Sequence, residues 1–205
     1  MKSKPTKAAP GGPRIDAIVI GASAGGLDAI STLLQGLPDK YAPSLMVVIH
    51  LPADRPSLLV EIFQARCRLP VREALDKEHI EAGTVYVAPP GYHLLVEADR
   101  TLALSLDAPV AFSRPSIDVL FESAAAAYGE SVLGIVLSGA NNDGAAGLAA
   151  IRAAGGRAWV QEPADALSAA MPQAAIDTAG ADLVVPVRDM AVRLAHLRSG
   201  RGVAL

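Results

Sequence analysis

Short runs that are apolar throughout alternate along this chain with longer segments in which apolar residues recur every three or four positions. "DAIVIG" (16–21), "LMVVIH" (45–50), "TVYVAP" (84–89), "VLGIVLSG" (132–139), "RAWVQE" (157–162) and "ADLVVPV" (181–187) are of the first kind. Such runs predict strands buried on both faces, as in a parallel sheet. Between them, "GLDAISTLLQGL" (stopped by Pro38), "RPSLLVEIFQARC" (opening near Pro56), "RPSIDVLFESAAAAYG", "DGAAGLAAIRAAGG", "PQAAIDTAG" and "DMAVRLAHLRSG" carry helical spacing. "HLLVEADRTLALSL" instead splits into two alternating runs around Ala98, Asp99 and Arg100, the pattern of a β-hairpin. The order predicts an α/β fold: a three-layer α/β/α arrangement on a doubly wound, mostly parallel sheet, with an antiparallel hairpin at one edge.

Open parallel sheets bind ligands outside the carboxyl ends of their strands, so chemistry is sought just after each apolar run. After the first, Gly21-Ala22-Ser23-Ala24-Gly25-Gly26 fits G-x-S-x-G, a sharp strand-to-helix turn that lifts a serine hydroxyl above the sheet. The same string reads loosely as a dinucleotide loop, although it lacks G-x-G-x-x-G spacing, and its glycines serve equally well in a purely structural turn. The second apolar run separates these readings. A dinucleotide fold ends it with a ribose-binding carboxylate, whereas here it ends in His50, which can take a proton from Ser23. His79, His93 and His196 are better explained by local hydrogen bonds to backbone carbonyls. After "VLGIVLSG" comes "ANNDGAAG", where Asp143 is either the acid that orients a histidine or a helix N-cap, with Asn141 and Asn142 as turn residues. Ser23, His50 and Asp143 each follow a different predicted strand on one face, and that coincidence favours a nucleophile over a phosphate cradle.

Composition narrows the class. At 205 residues the chain suits one domain, expected over 15–200, between a basic tail at 1–14 (Lys2, Lys4, Lys7, Arg14) and a short tail at 201–205. A net charge of −3 and 4% aromatic residues argue against nucleic-acid binding. No apolar run reaches the roughly 18–20 residues that span a bilayer, so no membrane insertion is expected. The N-terminus has no secretory h-region, so the cytoplasm is the expected compartment. Cys67, the sole cysteine, has no disulfide partner and reads as a structural thiol.

Together "IGASAGG", "IHLP", "VYVAPPGYHL", "RPSIDVLFESAA", "LSGANNDGAAGLAAIRAAGG" and "AAMPQAAI" resemble, in the family's order over about residues 15–200, the catalytic domain of CheB-type chemotaxis protein-glutamate methylesterases. The resemblance implies a serine hydrolase that removes methyl groups from glutamate γ-methyl esters on the cytoplasmic helical bundle of chemoreceptors. Some members also deamidate glutamines there. It carries the nucleophile onto Ser23, the base onto His50 and the orienting acid onto Asp143, with oxyanion and substrate contacts around Ala24, Gly25, Ala140 and Asn141. Substrate loops are expected at 51–55, 89–93 and 140–142, and no metal or organic cofactor is implied. Three departures stand out: Ala24 where the family often has Thr, Ala140 in place of the Met of G-M-G-N-D-G, and nothing before Ile15 long enough for the receiver domain of full-length members. The last leads to an expectation of basal activity without a phosphodonor, or of a receiver or activator acting in trans. A receptor-docking module with weak catalysis, or a nucleotide-binding oxidoreductase, are the alternative readings.

Overall fold

The computed structural model describes residues 14–50 and 57–197. In chain order its elements are β1 (Ala17–Ala22), α1 (Gly26–Gln35), β2 (Ser44–Ile49), α2 (Leu59–Gln64), β3 (Val71–Glu73), β4 (Val85–Val87), β5 (His93–Val96), β6 (Leu102–Ser105), α3 (Ile117–Tyr128), β7 (Val132–Val136), α4 (Ala145–Ala153), β8 (Arg157–Gln161), α5 (Ala170–Ala179), β9 (Leu183–Val185) and α6 (Val187–Ala195). The expected loop at 51–55, Pro56, most of the basic tail and the tail at 201–205 lie outside the described residues. Among the described residues, no helix is long and apolar enough to cross a membrane.

A parallel sheet of seven strands, in the order β3-β4-β2-β1-β7-β8-β9, forms the middle layer of an α/β fold. Ile18, Ile20 and Ala22 of β1 face one core with Ile30, Leu33 and Leu34 of α1, Phe63 of α2, and Met190 and Leu194 of α6. Ala17 and Val19 face a second core with Leu120 and Phe121 of α3, Leu148 and Ile151 of α4, and Met171 of α5. This double cover is why β1 and β2 lack polar alternation.

The predicted hairpin is present as β5 and β6, antiparallel, in a two-stranded sheet of its own. It is tied to the segment after β3 by Lys77 N–H to the Leu102 carbonyl (2.8 Å) and Leu102 N–H to the Glu78 carbonyl (2.9 Å). β3 takes the edge of the large sheet beside β4, a strand that the hydrophobic pattern did not predict. Its three residues include Arg72 and Glu73, too short and too charged a run to register as an apolar segment.

Strands that are apolar on both faces suffer no polar penalty for slipping by one residue, so shape must set their register. A Cβ on Gly21 would stand 2.3 Å from Cγ2 of Ile117, the first residue of α3. The glycine therefore lets the start of α3 settle directly onto β1. Gly147 does the same between α4 and α3: its N–H donates to Asp118 Oδ1 at 2.7 Å. The chain runs outward from β1 in both directions, which leaves a crevice at the carboxyl ends of β1 and β7, the switch point of the sheet.

A Cβ added at Gly147 would lie 2.5 Å from Phe121 Cβ and 3.0 Å from the Asp118 backbone. Gly147→Ala should therefore destabilise by about 1–3 kcal/mol through overpacking, reversing the ~1 kcal/mol that Ala ordinarily gains over Gly in a helix. Urea unfolding at neutral pH measures this. A more stable variant would mean that α3 and α4 are not in close contact.

Candidate active site

Ser23 and His50 occupy the next positions after a matched pair of parallel strands. Ala22 of β1 is registered with Ile49 of β2, and His50 N–H donates to the Ala22 carbonyl at 3.1 Å. On the other side, Ser23 N–H donates to the Ser138 carbonyl just after β7 (2.9 Å). Ser138 also braces the turn from beneath. Its buried hydroxyl donates to the Ala24 carbonyl (2.6 Å) and accepts from Ser168 N–H (2.9 Å). Gly25 then closes the turn at φ +79°, where a Cβ would meet Leu167 Cβ at 2.6 Å, so both backbone sign and space call for glycine. Ala24 and Gly25 stand immediately before the N-terminus of α1, and Ala140 lies exposed across the crevice after Gly139. Among the described residues, no hydrogen-bond acceptor takes the N–H of Ala24, Gly25 or Ala140. Asn141 turns its side-chain carbonyl back onto Asp143 N–H (3.3 Å).

Asp143 is wholly buried, and its carboxylate sits on the beginning of α3. Oδ1 accepts from Ser116 Oγ (2.8 Å) and Asp118 N–H (3.0 Å), and Oδ2 from Ile117 N–H (2.8 Å) and His50 Nε2 (2.8 Å). Asp143 therefore both bonds a histidine and caps a helix, but the helix is α3; α4, with Gly144 at its N-cap position, has no side-chain cap. Ser116, the residue before α3, makes no capping bond to its own helix and spends its hydroxyl on Asp143. Burial alone would push the Asp143 carboxyl up. The bonds from His50, Asp118, Ile117 and Ser116 outweigh it and hold the carboxyl below the usual range.

An ionised carboxylate only accepts, so His50 Nε2 carries the proton and Nδ1 presents the lone pair. The ring is thus turned relative to the serine-protease arrangement, in which Nδ1 faces the acid. Nδ1 has Ser113 Oγ at 3.5 Å. Among the described residues, no hydrogen bond joins the Ser23 hydroxyl to His50. The His50 side chain remains 13% exposed while that of Asp143 is wholly buried, so the imidazole opens to the crevice and the carboxylate does not. Neither Ser113 nor the buried Ser138 had a signal in the sequence, because each acts through partners far away along the chain.

Of the histidines expected to be satisfied locally, His196 is, whereas His93 joins distant segments and no carbonyl takes the His79 ring among the described residues. His93 Nε2 donates to the Ala108 carbonyl (3.1 Å) while Nδ1 accepts from Ser116 N–H (3.1 Å), and His196 Nδ1 faces the Val192 carbonyl (2.7 Å). Cys67 is buried, and burial raises its thiol pKa. Among the described residues, no group of three or more His, Cys, Asp or Glu side chains could hold a metal ion.

The depressed Asp143 carboxyl predicts an acid-labile fold. Its contribution is full above the unfolded value of about 4 and is lost as pH falls through the lower folded value, so stability rises with pH across that window. Asp118 works in the opposite sense. Burial raises its carboxyl, and the Asp143 charge adds to that despite the bond from Gly147. Comparing wild type with Asp143→Asn isolates the Asp143 part. The variant should lose about 1–3 kcal/mol at neutral pH and show a flatter decline towards about pH 3. Parallel denaturant-unfolding profiles for the two proteins would contradict this account.

Comparison with known proteins agrees with this geometry. A family model described as CheB methylesterase matches residues 18–194. A provisionally named protein-glutamate methylesterase/protein-glutamine glutaminase of Leptospira interrogans is 45% identical over 86% of this chain and 91% of its own length. A protein of Bordetella bronchiseptica named protein-glutamate methylesterase/protein-glutamine glutaminase is 39% identical over 90% of this chain, which spans 54% of that relative. The crystal structure of the Thermotoga maritima CheB methylesterase catalytic domain superposes with a TM-score of 0.86 at 27% identity, covering 90% of this chain and 99% of that one. With its strand ends, its Asp143-bound histidine and these matches in agreement, the chain belongs to the CheB methylesterase family.

Proposed function

We propose that this chain is a serine hydrolase that removes methyl groups from glutamate γ-methyl esters in proteins, with methylated chemoreceptors of the cytoplasm as its substrates. Deamidation of glutamine, the same acyl transfer with ammonia leaving, belongs to the same site. The observation that carries this reading is the bond between His50 Nε2 and buried Asp143, made one register step from Ser23. Ser23 Oγ attacks the ester carbonyl as its proton passes to His50 Nδ1, after the two side chains close together on substrate. Asp143 holds the tautomer and stabilises the imidazolium. In this reading the N–H groups of Ala24, Gly25 and Ala140, which have no acceptor among the described residues, stabilise the oxyanion. His50 then passes its proton to departing methanol. Control by a receiver or activator acting in trans is compatible with an open crevice. The end of β2, where a dinucleotide-binding enzyme would need a carboxylate, is committed to His50, which leaves no role for an oxidoreductase.

The protein surface beside the base suits a polypeptide substrate better than a free amino acid. The Phe112 side chain is fully exposed, next in sequence to Ser113, with Val110 and Leu106 also exposed nearby along the chain. An aromatic residue left in water, one position from the Ser113 that reaches His50, would anchor a partner.

Methanol release from methylated receptor membranes tests the chemistry: Ser23→Ala should lower it by about 10⁴-fold or more. Retained turnover would remove Ser23 from the role of nucleophile. Phe112→Ala should raise KM for methylated receptor about tenfold or more while leaving hydrolysis of a small activated ester unchanged. An equal effect on both substrates would show that Phe112 does not act in docking.

A further inference from the structure

Resting on the Ser23–His50 reading above, we propose that Ser113 positions the water that hydrolyses the acyl-enzyme. Once Ser23 is acylated, His50 must take a proton from a water molecule, and Nε2 is already committed to Asp143 at 2.8 Å. Nδ1 alone is available. The side-chain polar atom that the structure brings to it is Ser113 Oγ, at 3.5 Å. That separation is long for a direct O–H to N bond and suits two groups that share a small polar molecule. A water needs at least two polar partners to be held in place. Donating one hydrogen to Nδ1 and the other to Ser113 Oγ leaves its lone pair for the acyl carbon.

Ser113 is fixed in advance for this task. Val110 N–H donates to the Ser113 carbonyl (3.1 Å) and Ser113 N–H to the Val110 carbonyl (2.9 Å), which closes a tight two-residue turn. Its central residues, Ala111 and Phe112, have φ of +47° and +62°. Both signs are those of a type I′ turn, yet neither residue is the Gly or Asn that such turns favour. Backbone strain of this kind persists only where surrounding structure enforces it, and it concentrates at functional sites. The next residue, Arg114, pins the segment to the Leu106 and Asp107 carbonyls at 2.9 and 3.1 Å. Three residues beyond Ser113, Ser116 is bonded to Asp143, so Ser113 and the groups that hold the acid share one short stretch of chain.

The step balances. The water oxygen bonds to the acyl carbon, its proton moves to Nδ1, and the bond from that carbon to Ser23 Oγ breaks. Ser23 Oγ recovers the proton from Nδ1, and the product leaves as a carboxylic acid that ionises in solution.

The test uses p-nitrophenyl acetate with the full chain. Nitrophenolate release in the first turnover reports acylation, and decay of the acetyl adduct, followed by intact mass after rapid removal of reagent, reports deacylation. Ser113→Ala should acylate at close to the wild-type rate while its adduct decays about tenfold more slowly or worse, the factor carried by one lost hydrogen bond. Ser113→Thr, which keeps the hydroxyl, should restore most of the decay rate. Acylation and decay slowed equally, or a decay rate unchanged in Ser113→Ala, would overturn the proposal. Peptide mapping keeps the two readings apart. An adduct on Ser23, absent from Ser23→Ala, upholds the nucleophile whatever Ser113 does, whereas an adduct on Ser113 overturns both.

Discussion

The carboxylate of Asp143 is the constraint on which the rest of the site depends. A buried charge is costly unless it is fully hydrogen-bonded, and Asp143 meets that condition only by gathering four donors from two parts of the chain. Three of these come from the start of α3, where the helix dipole also favours negative charge. The fourth is His50. The hairpin enters the same network, because His93 accepts from the N–H of Ser116. Removal of one donor would leave the others around an under-satisfied charge, so the helix start, hairpin and imidazole hold their positions together.

The glycines of the sheet make that gathering geometrically possible. Gly21 lets Ile117 rest on β1, and Gly147 lets α4 approach α3 until its backbone reaches Asp118. Close packing of α3 against both β1 and α4 brings its N-terminus within reach of Asp143 in the loop between β7 and α4. The crevice at the switch point therefore receives Ser23 after β1, His50 after β2 and Asp143 from the loop after β7, with the carboxylate on the inside and the imidazole at the opening.

Much of this was legible in the sequence, for specific reasons. Six of the seven strands of the large sheet announced themselves as apolar runs, and Ser23, His50 and Asp143 were singled out because each lies at or shortly beyond the carboxyl end of one of them. β3 was not legible, since its three residues owe their place to pairing with β4 rather than to any pattern of their own. Helix α2 spans Leu59–Gln64, shorter than its helical spacing suggested. The two roles of Asp143 appeared as alternatives because its donors, Ser116 to Asp118, belong to a helix more than twenty residues away. Which ring nitrogen faces the acid depends on the approach of α3 to β2, and no local motif encodes it. Ser113 is separated from His50 by 63 residues and looks like ordinary loop composition until the turn is folded.

The way the large sheet ends has a consequence for the company the protein keeps. Its two outer strands, β3 and β9, are each three residues long, while the central β1 and β2 have six. Free strand edges are templates on which another chain can add a strand, and short or charged edges blunt that tendency. At β3 the exposed side chains Arg72 and Glu81 form an ion pair beside the edge. At β9 the strand ends at Pro186, which has no N–H to offer a further ladder. A neighbouring polypeptide would find only a brief row of backbone groups at either margin, so the architecture itself discourages growth of the sheet from one molecule into the next.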